Sequence, residues 1–425
     1  MNVMQHHGDC VAMSSASNND ETKRKSLKEL FSQNPSTPAV LEQTREICAT
    51  YLGGTWETLK TNQIKLRVQE GGMNNYNFVV SLPDDVQTTE KEPRCALLRI
   101  YCNMDADEVT VETVIVALLS QKSLGPQLLG IFPGGRLEEF IPSRILTNEE
   151  FCNPFVAYEI GRILAYVHSL EMPITKRPRL MHIAEGMMKR LRQAPRWSNA
   201  HKMRTTLAKV DPALCPEMIT IDILAEELEI AKKCLEKSGS PIVFTNNDLH
   251  EGNLLLRDGI EVTKEGLRGR QPGVDPIILI DYEYGSYYYR GFDLSHYCVE
   301  CCQDNTNKEW PYYHIMQQQW PNEQHQRIYI NGYLDKADEI TKLNGAKRPQ
   351  CIADLPVDRE AATQRMLKEI RQFAAFPQLL WAIWSFRQAE DYPCEYDFVE
   401  YGFDRMAMYY SWKPEMLRYL DGCSS

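Results

Sequence analysis

Apolar residues follow two rhythms along this chain, a strand-like alternation before residue 140 and a helical spacing after it. Residues 63–82, QIKLRVQEGGMNNYNFVVSL, alternate on both sides of a Gly-Gly pair, which predicts a hairpin or a glycine loop. Residues 95–101, CALLRIY, predict the next strand, and residues 130–144 predict a strand, a turn and a second strand. Residues 105–121 predict a helix, because acids in the first turn suit the helix dipole.

Helices are predicted to dominate the rest of the chain. Residues 153–170 place apolar side chains three and four positions apart, residues 224–239 end in a glycine typical of a helix C-terminus, and residues 366–390 are also helical in pattern. Residues 276–285, PIILIDYEYG, predict a buried strand that ends in acids. This order of elements predicts an α+β protein with a strand-rich N-terminal part and a mostly helical C-terminal part.

Length and composition bound the class of protein. A chain of 425 residues exceeds the ~250–300 residues at which single cores usually divide, so we expect lobes at 37–140 and 141–425. Residues 1–36, rich in Ser, Asn and charge, predict a flexible tail. The 58 acids and 47 bases give a formal charge of −11, which argues against a nucleic-acid binder and suits a cationic or metal-bound partner. Thirteen scattered cysteines and the lack of a membrane-length apolar stretch predict a reducing, cytoplasmic setting.

Two short motifs could bind a metal by themselves, and in each the plainer interpretation is favoured. His6 and His7 have no cysteine or carboxylate at a matching spacing, so we assign them to the tail. Cys298, Cys301 and Cys302 include a C-x-x-C, but no second pair stands at zinc spacing.

The strongest chemical signal is a sharp turn between two predicted strands in residues 243–256, VFTNNDLHEGNLLL. Phosphoryl transfer from ATP needs a carboxylate to orient the attacking hydroxyl, and Mg²⁺ takes carboxylate and amide oxygens. On this turn Asp248 fits the first role and Asn253 the second. Asp281, at the end of the later strand, would supply the main metal carboxylate, with Glu283 on the same face of an extended segment. The sequence therefore predicts a phosphotransferase.

Longer stretches around these residues resemble one known family. NNDLHEGN and LIDYEYGSYYYRGFD look like the phosphotransferase motif and the choline-kinase motif of the eukaryotic choline/ethanolamine kinases. GGMNNYNFVVSL and SLGPQLLGIFPGGRLEEFIPSRIL look like that family's nucleotide-lobe segments, and LLWAIWSFRQA like its C-terminal tryptophan helix. The similarity runs from about Gly71 to Met408 and is closest to the choline kinases. It implies a protein-kinase-like two-lobed fold, ATP with Mg²⁺, a homodimer, and phosphorylation of choline as the first step of phosphatidylcholine synthesis.

The resemblance also implies roles for individual residues. Asp248 takes the position of the catalytic base, Asn253 and Asp281 those of metal ligands, and Glu283 that of an acid near a second ion. On the nucleotide side, the resemblance implies that Arg99 is a strand cation with Glu112 as its helix partner. It implies a phosphate-covering loop made of Gly71, Gly72, Asn74 and Asn75. It also implies two hinge residues, Glu139 and Ile141. The implied choline-binding residues, besides Asp248, are aromatic with one acid: Tyr284, Glu300, Trp381, Trp384, Tyr396 and Tyr401.

Two pairs also have a plainer interpretation. Trp381 and Trp384 are three residues apart on one helical face, and such a stripe is often core. The resemblance favours a ligand cage instead, since a quaternary ammonium has no N–H and is recognised by aromatic faces and diffuse negative charge. Arg290 and Asp293 are expected to form a structural ion pair that braces the metal loop.

Two alternatives stay open. An ethanolamine-preferring kinase would aim acceptors at three N–H donors. The second is a nucleotide-binding pseudokinase scaffold, which would have no need of Asp248, Asn253 and Asp281 together. A protein kinase is disfavoured, because it would carry H-R-D and D-F-G at these loops. The chain departs from the family pattern at Asn246, where most members have His, and at Asn74, where Ser is frequent.

Overall fold

The computed structural model describes residues 26–69, 75–89, 91–102, 106–207, 210–305, 307–391 and 395–421, without the side chains of 106–108. The chain divides into two compact units, residues 1–142 and residues 143–425, each with its own hydrophobic core. Three residues of the predicted phosphate-covering loop, Gly71, Gly72 and Asn74, lie outside the described residues. Across the described segments, none of the helices combines the length and apolar character needed to cross a membrane.

The first unit is built on a five-stranded antiparallel sheet in the order β1-β2-β3-β5-β4. The strands are β1 Lys65–Val68, β2 Asn75–Ser81, β3 Cys95–Tyr101, β4 Leu128–Phe132 and β5 Gly135–Glu139. The helices are α1 at 26–31, α2 Pro38–Leu52, α3 Thr55–Thr58 and α4 Ala106–Gln121, with a 3₁₀ turn at Thr61–Gln63. The predicted hairpin around the glycine pair is confirmed, since β1 and β2 pair antiparallel on either side of it.

The predicted tail is wrong for its last part. Residues 26–31 are helical, and Phe31 is buried in the core of the first unit with its ring centroid 5.4 Å from that of Phe78. Leu27 and Leu30 pack against the same core. The composition of this segment did not indicate a packed helix, because most of its residues are polar. Three apolar side chains are nevertheless enough to pack a short helix against the core.

The second unit is mostly helical. Its helices are α5 Asn148–Phe151, α6 Pro154–His168, α7 Leu180–Leu191, α8 Ile221–Glu236, α9 Arg290–Glu300, α10 Glu323–Leu343, α11 Arg359–Phe373, α12 Ala375–Asp391 and α13 Phe398–Leu417. Its 3₁₀ turns are Pro195–Ser198, Pro212–Leu214, Glu251–Asn253, Gln317–Gln319 and Gln350–Ile352. Its strands are β6 Ser143–Ile145, β7 His201–Lys202, β8 Met218–Ile219, β9 Ile242–Thr245, β10 Leu254–Arg257, β11 Glu261–Thr263, β12 Gly266–Arg268, β13 Ile277–Leu279, β14 Ser286–Tyr289, β15 Gln303–Asp304 and β16 His314–Ile315.

The main core surrounds α12, which is buried over most of its length and packs against α7, α9 and α13. Beside that core, strand pairing brings two loops together. β9 pairs with β14 and β10 pairs with β13, so the β9–β10 connection, residues 246–253, runs beside the β13–β14 connection, residues 280–285. The fold therefore juxtaposes the two segments that carried the chemical signal in the sequence.

Candidate active site

A tight amide network shapes the β9–β10 connection. The Asn253 side chain donates from Nδ2 to the Asp248 carbonyl at 2.9 Å and to its carboxylate oxygen Oδ2 at 3.2 Å. This arrangement leaves Asn253 Oδ1 outside both bonds. The Asn253 carbonyl accepts the Ile280 N–H at 2.9 Å, which ties the connection to the neighbouring one. The acid and the amide that the sequence singled out are thus in direct contact.

Asp293 anchors the start of this connection. Its carboxylate accepts the backbone N–H groups of Asn246 and Asn247 at 2.8 and 2.9 Å, and it lies 3.1 Å from His168 Nε2. Asp293 and His168 are both buried. The predicted bracing of the loop by Asp293 therefore works through backbone amides.

The predicted ion pair between Arg290 and Asp293 is wrong. Arg290 instead pairs with Glu369 at 2.6 Å and with Asp354 at 2.7 Å. Both residues lie in the first turn of α9, but the helix is buried on all sides, so each side chain finds its partner on a different neighbouring element.

Asp281 does not sit in an extended segment, contrary to expectation. It follows β13 with a φ of 59°, in the left-handed region, and the Gly285 N–H closes a turn onto the Tyr282 carbonyl at 2.8 Å. The argument that Asp281 and Glu283 share one face of a strand therefore fails. A role for Glu283 near a second ion stays a prediction.

Three carboxylates crowd this part of the second unit. The pKa of Asp248 is raised well above its ordinary value, first because the side chain is desolvated and then because the charges of Asp281 and Glu300 oppose its ionisation. The Asn253 amide works in the opposite direction. A divalent cation would relieve this repulsion, so the donor set fits the magnesium that the resemblance implies. Within the described residues no cluster of three or more His, Cys, Asp or Glu side chains could hold a metal ion, and the fit depends on the Asn253 amide oxygen.

A cluster of aromatic rings, called the aromatic box below, lies beside the two connections. Trp381 lies 5.6 Å from Tyr284 and 5.7 Å from Trp384, and Trp384 lies 5.6 Å from Phe398, measured between ring centroids. The interplanar angles of these pairs are 87°, 83° and 80°. Trp384 Nε1 donates to the Tyr284 hydroxyl at 3.0 Å, which fixes both rings. The predicted pair Tyr396 and Tyr401 continues the cluster at 5.5 Å, with Tyr313 4.8 Å from Tyr401.

His296 connects the aromatic box to the β9–β10 connection, which carries Asp248. Its Nε2 lies 2.8 Å from Trp381 Nε1, and its Nδ1 lies 3.3 Å from the backbone nitrogen of Leu249, the residue that follows Asp248. Trp381 is therefore held at a fixed place relative to the Asp248 turn.

Glu300 is the buried acid of this region, and it carries its own counter-charge. Arg405 donates to Glu300 at 2.7 Å, to the Tyr401 hydroxyl at 2.9 Å and to Gln378 at 2.9 Å. Burial alone would raise the pKa of Glu300, but Arg405, together with His296, lowers it to about 2. The Glu300 carboxylate thus stays ionised, and the charge of Arg405 balances its own.

Sequence reasoning missed several members of this site: Phe398, Tyr313, His296 and Arg405. Two of them carried a usable signal, because His296 stands four residues before Glu300 and Arg405 four residues after Tyr401, a spacing that brings side chains together on a helix. Tyr313 had no such signal, since it comes from a loop.

The nucleotide-side residues in the first unit have different partners from those expected. Register places Arg99 on β3 opposite Arg136 on β5. Arg136 reaches Glu112 on α4 at 2.9 Å and also pairs with Glu138, so the predicted Arg99–Glu112 pair is wrong. Arg99 is buried, lies 3.9 Å from Glu138, and has no partner at Nε among the described residues. Arg136 was missed because a cross-strand neighbour depends on register.

The other predicted nucleotide residues lie at the ends of strands. Asn75 opens β2 opposite Tyr101. Glu139 ends β5, where its N–H donates to the Gln127 carbonyl at 2.8 Å and its carboxylate accepts the Gln127 N–H at 3.1 Å. Ile141 follows β5 and is buried. Asn75 and Glu139 thus lie on the sheet of the first unit, and Ile141 lies two residues beyond its β5 strand.

A strand-rich unit followed by a helical unit, with an acid-turn-amide loop beside a second acidic loop, is the organisation of the protein-kinase-like phosphotransferases. The sequence profile of the choline/ethanolamine kinase family matches residues 66–410. The chain belongs to the choline/ethanolamine kinase family, and is therefore a kinase.

Individual relatives agree with this assignment. A human protein named choline/ethanolamine kinase is 32% identical over 374 residues, covering 87% of this chain and 85% of its own. Choline kinase A2 of Caenorhabditis elegans is 31% identical over 438 residues, covering 97% of this chain and 96% of its own. The crystal structure of choline kinase from Cryptosporidium parvum Iowa II superposes with a TM-score of 0.65 at 22% identity, over 89% of this chain and 96% of that one. This structure shows that the fold is shared.

Proposed function

We propose that the protein transfers the γ-phosphoryl group of ATP to the hydroxyl of choline, giving phosphocholine. The observation that carries the choice of choline is the aromatic box, whose neighbouring rings stand nearly perpendicular and which His296 links to the turn of Asp248. Relatives whose names include both choline and ethanolamine leave ethanolamine as the second candidate.

The chemistry of the box favours a quaternary ammonium. Trimethylammonium carries no N–H, so directed acceptors gain nothing from it, while the faces of Trp and Tyr rings attract it. Glu300 is compensated by Arg405, so it contributes to the field around the box without offering an uncompensated acceptor. A primary ammonium would need three such acceptors.

In the proposed mechanism, Asp248 accepts a hydrogen bond from the choline hydroxyl and takes its proton as the oxygen attacks. In the site without a metal ion, desolvation and the neighbouring acids raise the pKa of Asp248, so its carboxylate readily takes up a proton. Asn253 and Asp281 are the residues that would hold the ion. Mg²⁺ held there would supply positive charge to the phosphate oxygens. Arg99, with an Nε that has no partner among the described residues, is proposed as a nucleotide-binding residue of the first unit.

Asp281→Asn should separate metal binding from folding. Loss of an anionic ligand should raise the Mg²⁺ concentration for half-maximal rate by roughly tenfold or more, since even outer-shell changes cost about 10–100-fold. Without metal, the variant should melt higher than wild type, by about 2–4 °C per kcal/mol of repulsion relieved. Mg²⁺ titration of the rate and melting in chelator check both effects. An unchanged Mg²⁺ requirement would remove Asp281 from the metal site.

Trp384→Ala tests the box itself. Removing one wall of a cation–π site worth ~0.5–2 kcal/mol should raise the KM for choline roughly 2- to 30-fold. The KM for ethanolamine should rise less, because its ammonium can still be hydrogen-bonded, and kcat should change less than KM, because the ring is remote from the reacting hydroxyl. Steady-state kinetics on both alcohols measure the difference.

Trp320→Ala is the matched control for Trp384→Ala. Trp320 is a half-buried tryptophan of the same unit, outside the box, and its ring centroid lies 4.3 Å from that of Trp412 at an interplanar angle of 38°. The Trp320→Ala variant should have a lower melting temperature but an unchanged ratio of the KM for choline to the KM for ethanolamine. If Trp384→Ala behaves like this control, the tryptophan is core and the box does not select choline.

Direct competition between the alcohols decides the substrate. The proposal requires a higher kcat/KM for choline than for ethanolamine on the wild-type protein. The opposite ranking would make this an ethanolamine kinase of the same fold. A homodimer and a cytoplasmic location stay predictions, which sedimentation and imaging of the tagged protein would check.

A further inference from the structure

The side chain of Asn246 spans the two loops of the site. It is fully buried, and both polar atoms of its amide are used. Oδ1 accepts the backbone N–H of Asp248 at 3.0 Å, and Nδ2 donates to the backbone carbonyl of Asp281 at 3.0 Å. One amide group therefore holds the residue proposed as base and the residue proposed as metal ligand.

Both loops contain backbone that needs such support. Asn247 has a φ of 68° and Asp281 a φ of 59°, a region that side-chain-bearing residues adopt at a cost. Asn247 is held by its own side chain, which donates to the Tyr284 carbonyl at 2.9 Å and to Ser286 Oγ at 3.0 Å. At Asp281 the corresponding support is the bond from Asn246 to its carbonyl.

The backbone of Asn246 is anchored independently of its side chain. Its N–H donates to Asp293 at 2.8 Å, and the next N–H, that of Asn247, donates to the same carboxylate. Replacing the Asn246 side chain therefore leaves the turn attached to α9. The effect of the side chain can be measured in a folded protein.

We propose that Asn246 is a positioning residue that fixes the Asp248 carboxylate relative to Asp281, so that base geometry and metal affinity depend on one amide. This inference rests on the proposed function and adds to it the coupling between the two loops. Both bonds of the Asn246 amide go to backbone atoms, so it acts through the backbone of the two acids.

The same turn shows which side chains could replace this amide. His250 Nδ1 accepts the N–H of Gly252, two residues ahead, at 3.1 Å, which is the same bond that Asn246 makes to Asp248. An imidazole at position 246 can therefore accept from Asp248 through one nitrogen and donate to Asp281 through the other. Leucine has the same branched arrangement of side-chain heavy atoms as asparagine, although it is bulkier, and it makes neither bond.

The experiment compares Asn246→Leu with Asn246→His. Binding of Mn²⁺ in the presence of a non-hydrolysable ATP analogue, followed by electron paramagnetic resonance, reports the metal site without turnover. We expect Asn246→Leu to weaken Mn²⁺ binding and to lower kcat, each by about 10–100-fold, with little change in the choline KM. Asn246→His should restore both quantities to within roughly threefold of wild type.

Thr245→Val is the control for a lost buried hydrogen bond. Thr245 precedes Asn246, is equally buried, and donates to the Ser286 carbonyl at 2.8 Å without touching either acid. It should lower the melting temperature while leaving Mn²⁺ binding and kcat unchanged. If Asn246→Leu does the same, or if Asn246→His fails to rescue, Asn246 is structural and the proposal is overturned.

Asp281→Asn, measured in the same Mn²⁺ assay, separates this proposal from the function that it rests on. If Asp281→Asn loses Mn²⁺ and Asn246→Leu does not, the metal assignment stands and the positioning role falls. If Asp281→Asn keeps wild-type Mn²⁺ affinity, the metal assignment is wrong and the inference falls with it.

Discussion

Asp248→Asn is expected to lower kcat by about 10²–10⁴-fold, the usual contribution of a general base, while ATP binding changes little. The amide keeps the shape of the carboxylate and can still contact Asn253, so the turn should remain folded. It cannot accept a proton from the choline hydroxyl. Removing one of the crowded carboxylates should also raise the melting temperature in the absence of metal.

Asp258→Asn is the matched control for this variant. Asp258 is an exposed aspartate on the turn after β10, outside the site, so its loss should leave kcat unchanged. Rates measured with saturating ATP, Mg²⁺ and choline compare the two. Turnover of Asp248→Asn within a few-fold of wild type would remove Asp248 from the role of base.

Arg405→Met is expected to cost about 3–5 kcal/mol of unfolding free energy, because it leaves the Glu300 carboxylate buried without its counter-charge. The cost should depend on pH. Against the effect of burial, Arg405 together with His296 lowers the pKa of Glu300 from 4.5 to about 2. In wild type these interactions therefore stabilise fully above pH 4.5 and progressively less as the pH falls towards 2. The difference between variant and wild type should therefore be largest at neutral pH and should shrink below pH 4.5. Urea unfolding at several pH values measures it.

The double variant Glu300→Leu with Arg405→Met supplies the control. Replacing both members of a buried pair by apolar groups is often neutral, so the double variant should unfold with a smaller loss than Arg405→Met alone. An equal loss in both would mean that Arg405 stabilises the fold through its contacts with Tyr401 and Gln378 instead of through the charge of Glu300.

Local signals in the sequence were sufficient to predict much of the fold and part of the site. The alternation on both sides of the glycine pair predicted the β1–β2 hairpin, and helical spacing predicted α6 and α8, because each pattern reflects the burial of one face. The turn carrying Asp248 and Asn253 was predictable for the same reason, since both flanking strands are short apolar runs with polar residues between them.

Partners that depend on tertiary contact were not predictable. Glu112 pairs with Arg136 instead of Arg99 because strand register places the two arginines opposite each other, and the sequence does not specify register. Arg290 and Asp293 lie in one turn of a fully buried helix, so their neighbours are set by the elements packed around α9. Asp281 leaves its strand in a left-handed conformation that alternation cannot indicate.

The aromatic box was likewise predictable from the sequence only in part. Trp381 and Trp384 were found through their spacing and through the family resemblance, whereas Phe398 and Tyr313 join them from other segments. A list of aromatic residues does not distinguish a core stripe from a ligand cage, because the distinction depends on which faces meet. The proposal that the box binds choline rests on the perpendicular rings and on the contacts of His296 with Trp381 and with the β9–β10 connection.

The most direct test of the central claim is product formation by the purified protein. With ATP, Mg²⁺ and choline, phosphorus NMR should show phosphocholine appearing as ATP is converted to ADP, and Asp248→Asn should abolish most of the signal. A nucleotide-binding scaffold would bind ATP and form no product. Absence of phosphocholine with a folded, ATP-binding protein, or formation of phosphoethanolamine alone from a mixture of both alcohols, would contradict the proposal that this kinase phosphorylates choline.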